Sequence, residues 1–448
     1  RSKNERLNVG TWCFLAVAVT LLCGAAAGGL AAENPKNLAR YILDETGVDG
    51  GLVVHLGCGD GRLTAALRAN DSYMVHGLDA DAADVQAARN HIRSAGDYGT
   101  VSVEQWNGTR LPYVNNLVNL LVVSDADSAP MKEIRRVLAP GGVALINQDG
   151  EWKKTVKRRS DEIDEWTHYL HDASNNAVAQ DSVVGPPRHM QWVGSPRWAR
   201  HHDRMASLSA LVSAQGRLFY ILDEGPRASI MLPPRWKLIA RDAFSGTVLW
   251  KRKLSSWHPY LWPMKSGYAQ LTRRLVAEGN RVYATLGVED PLTCLDAATG
   301  KKIRTYDGTR CTREILLSDG VLFLLVKEKP PVHNNFDPAF KQNMWSAMRR
   351  AAGGWPWDET QRSVMAVDAS TGETLWKKQH RVVPLSMAAN EEGVFFHNGR
   401  GVVKLDRDSG KKTWQSEPVG VHFPKENFTA NSRKQKEDWA PADTKFAF

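Results

Sequence analysis

The sequence predicts two domains of different class: an α/β domain on a doubly wound, mostly parallel sheet, followed by an all-β propeller. Three observations carry this expectation. The chain has 448 residues, more than one hydrophobic core usually serves. Over residues 33–150, short apolar runs alternate with helical patterns around a glycine loop. Beyond residue 164, one hairpin template recurs, which marks a repeat architecture.

Composition sets the outer bounds. Hydrophobic residues make up 42% of the chain and charged residues 24%, the balance of a globular protein. The net charge is +9, but Lys and Arg are scattered. The charge therefore reads as a basic solvated surface and gives no specific nucleic-acid signature. The 16 Trp residues suit packing between sheets, which points to a β-rich second half.

At the N-terminus, Arg1, Lys3 and Arg6 precede an apolar run over 11–27 and small residues up to Ala32. This is the layout of a secretory signal, as in a bacterial exported protein. Left uncleaved, 11–32 is just long enough to span a bilayer. Residues 1–32 are thus expected to be a signal peptide or a membrane anchor. Leu22 is too bulky to precede an acylated Cys23. Either way the rest of the chain is expected outside the cytoplasm, periplasmic or membrane-anchored. Of the five cysteines, Cys13 and Cys23 lie in this segment and Cys58 in the glycine loop. Cys294 and Cys311 are left as candidates for a disulfide. No CxxC or other metal-type spacing occurs, and no metal site is assigned.

In the first domain the patterns predict helices over 37–46, 62–70, 82–95 and 131–138. They predict strands over 52–56, 73–78, 101–106, 117–124 and 142–147. Such alternation implies a parallel sheet with helices on its faces. The glycine loop GCGDG at 57–61 follows the first strand, where ligands bind at the carboxyl edge of such sheets. Glycines there let a backbone approach a ligand and leave a helix N-terminus open. Asp79 ends the second strand, where a carboxylate can accept both hydroxyls of a ribose.

Four stretches, VVHLGCGDG (53–61), HGLDAD (76–81), NGTRLPYVNNLVNLLVV (107–123) and MKEIRRVLAPGGVALI (131–146), resemble the class I S-adenosylmethionine (SAM) dependent methyltransferases. The resemblance implies a Rossmann-like fold with SAM as cofactor. It implies that the loop residues Gly57, Cys58, Gly59 and Gly61 line the amino-acid moiety of SAM, that Asp79 binds its ribose and that Asn107 contacts its adenine. There are departures. His55 stands where the family has an acidic residue, Asn107 where it has Asp, and Asn119 replaces an Asp in the following strand. After Ile146 the family adds an antiparallel hairpin. Here residues 151–164 read as a polar, basic linker, so a reduced lid is expected.

In the second domain, RDAFSGTVLW (241–250), LDAATGKKIRTY (295–306), VDASTGETLW (367–376) and LDRDSGKKTW (405–414) share a template. An apolar strand ends in Asp, Ser/Thr-Gly follows, and a Trp stands four residues after the glycine. The second copy carries Arg304 at that position. Asp ties the turn through backbone N–H groups, Gly takes the left-handed conformation, and the next strand starts at once. The Trp is expected to pack between neighbouring sheets. Four-stranded units repeated radially make a propeller.

The repeat resembles that of pyrroloquinoline-quinone (PQQ) type propellers, found in quinoprotein dehydrogenases and in the lipoprotein of the outer-membrane β-barrel assembly machinery. EWTHYLHDASNNAV (165–178) and GPPRHMQW (185–192) look like the opening segment of such propellers. The resemblance implies seven or eight blades. About four are visible over 165–448, so an incomplete ring in a truncated chain is expected. The vicinal disulfide and calcium-binding carboxylates of quinoprotein dehydrogenases are not visible, which argues against PQQ.

His168, His171, Asp172, His201, His202 and Asp203 could form a metal cluster, or His171 and Asp172 could serve structure within the opening segment. Insertions at 225–235 and 327–362 fall between the second and third strands of their blades, on the face that 201–204 should occupy. A pocket is expected there, lined by His201, His202, Asp203, Arg204, Glu224, Arg227, His258 and Arg273, for an unidentified small molecule or protein. Three functions compete: a methyltransferase whose propeller positions a substrate, a non-catalytic extracytoplasmic binding or assembly protein with a vestigial methyltransferase domain, and a quinoprotein-like oxidoreductase.

Overall fold

A computed structural model of the protein describes residues 34–186, 189–197, 200, 207–228, 232–257, 269–327 and 360–419. The expected signal or anchor at 1–32, the site candidates His201, His202, Asp203, Arg204 and His258, and nearly all of the insertion at 327–362 lie outside these residues. Among the described residues, no helix is long and apolar enough to cross a membrane.

The first domain opens with α1 (Pro35–Thr46). The Asn34 side chain caps it by accepting from Lys36 N–H at 3.0 Å, and a proline occupies its first turn. Then follow β1 (Gly51–Leu56), α2 (Arg62–Ala66), β2 (Tyr73–Asp79), α3 (Ala82–Ala95), β3 (Val101–Gln105), β4 (Val118–Val123), α4 (Met131–Val137), β5 (Leu138–Gln148) and β6 (Glu151–Val156). The sheet order is β3-β2-β1-β4-β5-β6. All pairs are parallel except β5–β6. The central strands are apolar on both faces: Val53, Val54, Leu120, Leu121 and Val122 are all fully buried, as expected of a sheet covered on both sides.

Two expectations are corrected. Helix α2 stops at Ala66 rather than near Asn70. The stretch read as the start of a linker is the strand β6, which turns back on β5 through Asp149 and Gly150, both at positive φ. The first domain therefore keeps an antiparallel hairpin and extends past residue 150, to Lys157, whose Nζ donates to Leu138 O at 2.8 Å.

The second domain contains four antiparallel four-stranded sheets among the described residues. They are β7 (Leu208–Ala214) to β10 (Val248–Lys253) with β8 (Arg217–Asp223) and β9 (Trp236–Asp242); β11 (Leu275–Glu278), β12 (Arg281–Thr285), β13 (Leu292–Asp296) and β14 (Lys302–Thr305); β15 (Thr312–Ser318), β16 (Val321–Val326), β17 (Gln361–Asp368) and β18 (Thr374–Arg381); and β19 (Ala388–Asn390), β20 (Gly393–His397), β21 (Val402–Asp406) and β22 (Lys412–Gln415). The first strands β7, β11, β15 and β19 lie side by side, so these sheets are propeller blades with their first strands innermost.

Two of the three template Trp residues, Trp250 and Trp376, pack between sheets as expected, whereas Trp414 is 51% exposed. Trp250 covers Gly300 of the next blade, and Trp376 covers Gly410; a Cβ on either glycine would sit 2.5 Å from the indole. Trp192, from the opening segment, covers Gly246 of the first blade in the same way. That segment also stitches the inner strands together. Trp166 O accepts from Ser213 N–H, Thr167 O from Ala277 N–H and Ala173 O from Ala389 N–H, while His168 Nε2 accepts from Leu317 N–H. The candidate disulfide does not form: Cys294 and Cys311 are buried free thiols.

The two domains meet at the amino edge of the parallel sheet. Ser72, just before β2, donates to Leu249 O at 2.6 Å. Asn119, second in β4, donates to Asp242 at 2.8 Å. The Gln191 amide bridges Asn116 O and Phe244 O.

Candidate functional site

The parallel strand order reverses between β1 and β4, which opens a crevice at their carboxyl ends. The loop after β1 is strapped to the end of β2: Gly57 N–H and Cys58 N–H both donate to Leu78 O, at 2.9 and 3.2 Å. The three loop glycines differ in what demands them. Gly61 packs on α3, and a Cβ there would lie 2.6 Å from Ala88 Cβ. Gly57 sits against Ser124, with 3.2 Å to its Cβ. Gly59, at φ +50°, has nothing within 4 Å of where a Cβ would be. It is the glycine that faces open space.

Asp79 reaches this loop. Its Oδ2 accepts from Gly59 N–H at 2.8 Å and its Oδ1 from Asp81 N–H at 3.1 Å. Trp106 N–H donates to Asp79 O at 2.7 Å, which brings the exposed Asn107 to the same edge. The structure thus joins Gly59 to Asp79, places Asn107 one residue beyond the bond to Asp79 O, and leaves Gly57 and Gly61 as packed supports. Cys58 is a correction: its thiol is buried against Gly77 in the core. Burial pushes that thiol up to about 12, which makes it inert. Only its backbone belongs to the loop.

His55 lies beneath the loop, 2% exposed. Its Nδ1 is 2.8 Å from Thr64 Oγ1 and its Nε2 2.9 Å from Ser124 Oγ. Burial lowers it to about 4 despite the nearby Asp79. A neutral imidazole suits two hydroxyl partners, each of which can donate or accept. Thr64 and Ser124 were not legible as its partners, because only the fold joins them. Nearby, His76 Nδ1 meets Tyr113 Oη at 2.7 Å. Burial lowers His76 and raises Tyr113.

On the propeller, three of the pocket candidates are described: Glu224, Arg227 and Arg273. Glu224 is turned to its own blade, held by Lys237 at 2.7 Å and Lys251 at 2.6 Å. Burial opposes its ionisation, and the two lysines outweigh that and lower it. Arg227 is exposed. Arg273 is buried just before β11. The other five residues of the expected pocket lie outside the described residues. The loop after β8 is instead organised by a pair that sequence reasoning missed: Arg200 and Asp223, both almost fully buried, meet at 2.7 Å. Arg200 also donates to Pro226 O and Leu232 O.

The opening-segment histidines serve structure. His168 is bonded to β15 as above and is lowered to about 3 by burial. His171 Nε2 meets Asp164 at 2.6 Å. Among the described residues, no group of three or more His, Cys, Asp or Glu is placed to hold a metal ion.

Two family models match this chain. The family model of a methyltransferase domain matches residues 53–142. The family model described as outer membrane protein assembly factor BamB matches residues 237–421. A methyltransferase of Streptomyces halstedii, GfsG, is 28% identical over 123 residues, covering 26% of this chain and 44% of that protein. The chain thus spans less than half the length of this relative. Among solved structures, the [4+2]-cyclase SpnF is 24% identical, with a TM-score of 0.23, over 25% of this chain and 43% of its own. A geranyl diphosphate C-methyltransferase of Streptomyces coelicolor is 20% identical, with a TM-score of 0.23, over 25% of this chain and 44% of its own. The chain joins a methyltransferase-type α/β domain to a BamB-like, PQQ-type repeat domain.

Proposed function

We propose that the first domain binds SAM at the loop around Gly59 and is methyltransferase-like, and that the propeller is a separate binding surface for a small molecule or protein. The observation that carries this is the open approach to Gly59 beside the Asp79 carboxylate. When bound, SAM supplies an electrophilic methyl group on sulfur. The chain's own residues have simpler tasks. Gly59 lets the ligand lie against the backbone. Asp79 keeps lone pairs for ribose hydroxyls beyond the two N–H groups it already accepts. Asn107 offers an amide to the adenine ring.

The separation of roles rests on where the domains meet. The propeller contacts the amino edge of the sheet at Ser72 and Asn119, whereas Gly59 and Asp79 stand at the carboxyl edge. Six residues of β1 put these edges about 20 Å apart. An acceptor held on the propeller is therefore not presented to the loop, and a methyl acceptor must approach from the far side. Extracytoplasmic location completes the reading and rests on the candidate signal at 1–32.

Calorimetric titration of the full chain with SAM and S-adenosylhomocysteine tests it. The wild type is expected to bind and Gly59→Arg to lose binding while staying folded. A wild type that binds neither at millimolar ligand overturns the cofactor assignment. Cell fractionation checks the location.

A further inference from the structure

Two ionisable groups near the propeller axis are buried without complete partners. Arg273 is 6% exposed and Glu314 1%. Arg273 Nη2 donates to Leu385 O at 3.3 Å, but its Nε and Nη1 have no partner. Glu314 Oε1 accepts from Leu385 N–H at 2.5 Å, and its Oε2 makes no close hydrogen bond, although Met387 N–H and the Arg362 charge also act on this carboxylate. Leaving such charged atoms dry and unpaired is strongly unfavourable.

The surroundings are built around this pair. Arg273 lies two residues before the inner strand β11, and its O accepts from Ile315 N–H on β15 at 3.0 Å. Glu314 follows a register break in β15 between Thr312 and Glu314, the kind of bulge that re-aims a side chain. Leu385, gripped by both, is held at φ +63°. A β-carbon makes that conformation costly, and such strain concentrates at ligand sites. The Arg273 guanidinium lies 6.0 Å from the centroid of the Tyr169 ring, and Tyr169 is 39% exposed, so solvent reaches the ring it faces.

We propose that Arg273 and Glu314 form a recognition pair for a small carboxylate that carries a hydroxyl beside it. The carboxylate meets the free edge of the Arg273 guanidinium, and the hydroxyl donates to Glu314 Oε2. Arg supplies a planar donor pair matched to a carboxylate. Glu314 selects for a neighbouring donor and disfavours a bare anion. This site is independent of the glycine loop, about which it assumes nothing.

The test is calorimetry on the full chain with glycolate, acetate and ethylene glycol as probes. Wild type is expected to bind glycolate more tightly than acetate and not to bind ethylene glycol. Arg273→Gln is expected to lose glycolate binding. Arg273→Lys keeps the charge without the fork and is expected to weaken it about tenfold. Glu314→Gln is expected to erase the preference for glycolate over acetate. Titrations with SAM should be the same in all three variants. The proposal is overturned if wild type binds none of the probes, if it prefers acetate, or if Arg273→Lys binds glycolate as wild type does.

Discussion

Asn119 Nδ2 donates to Asp242 Oδ2 at 2.8 Å while Asn119 Oδ1 accepts from Leu52 N–H at 2.8 Å. One amide thus ties β1 to β4 within the first domain and ties both to the first turn of the propeller. Asp242 uses its other oxygen, as each template Asp does, to accept from its own turn at Phe244 and Ser245. The departure from the methyltransferase pattern at position 119 acquires a reason here. An Asp would set two carboxylates against each other, whereas Asn supplies the donor. Restoring the family residue by Asn119→Asp should cost about 1–3 kcal/mol. It should also speed amide exchange at the domain boundary. Urea unfolding combined with hydrogen exchange measures both, and an unchanged midpoint would show that this bond does not couple the domains.

The second blade solves the missing-Trp problem with two residues. In the other interfaces, one Trp both covers a glycine and donates Nε1–H to the residue after the turn Asp: Trp192 to Ala243 O, Trp250 to Ala297 O and Trp376 to Arg407 O. In the second blade, Arg304 covers Gly372 with its Cδ and the face of its guanidinium, and Tyr306 Oη donates to Ala369 O at 2.6 Å. Tyr306 is 1% exposed, so Tyr306→Phe leaves a buried carbonyl short of a partner and should cost about 1–2 kcal/mol. Adding Arg304→Trp to that variant should recover most of the loss, because the indole supplies the donor. Thermal melts of the two variants decide it.

How far the sequence revealed this molecule depends on how local each signal is. The parallel sheet, the glycine loop, the position of Asp79 and the four hairpins are written in contiguous residues. Strand β6 was equally local, since Asp149-Gly150 between alternating residues is a hairpin signal; its polar, basic face disguised it as a linker. What stayed hidden needed distance. His55 meets Ser124 across 69 residues, Asn119 meets Asp242 across 123, and Leu317 meets His168 across 149. The partners of Glu224 were hidden for a related reason: two lysines on the neighbouring strands β9 and β10 hold its carboxylate.

The loop glycines separate folding from ligand approach. Gly61→Ala forces a methyl group to within 2.6 Å of Ala88 and holds a β-carbon at φ +78°. It should destabilise the first domain by about 2 kcal/mol or more. Gly59→Ala meets nothing within 4 Å and should cost about 1 kcal/mol, from its left-handed backbone alone. Ligand binding should rank the two differently, with Gly59→Arg the more damaging to SAM affinity and Gly61→Ala the more damaging to the melting temperature. Differential scanning calorimetry with and without SAM separates the two losses. If Gly59→Arg unfolds the domain as readily as Gly61→Ala, Gly59 belongs to the packing rather than to the opening.

Acid should unfold this protein through buried neutral histidines. His55 is lowered from 6.5 to about 4 and His168 from 6.5 to about 3, both chiefly by burial. A lowered pKa means that the unfolded chain binds the proton first, so stability rises with pH across the interval between the two values. The contribution of each histidine is complete above pH 6.5. It is lost progressively as pH falls, towards about 4 for His55 and towards about 3 for His168. The geometry at His168 acts in the same direction as burial: Nε2 accepts from Leu317 N–H at 3.0 Å, and a protonated ring has no lone pair there. His168→Gln keeps an acceptor without a titration. It should lower stability at neutral pH by about 1–2 kcal/mol through imperfect packing, yet flatten the slope below pH 6.5. Urea titrations at a series of pH values, wild type against His168→Gln and His55→Gln, read the slopes directly. Parallel curves for all three proteins would assign the acid sensitivity to carboxylates instead, such as Asp164, whose pKa is lowered by backbone N–H groups and by His171.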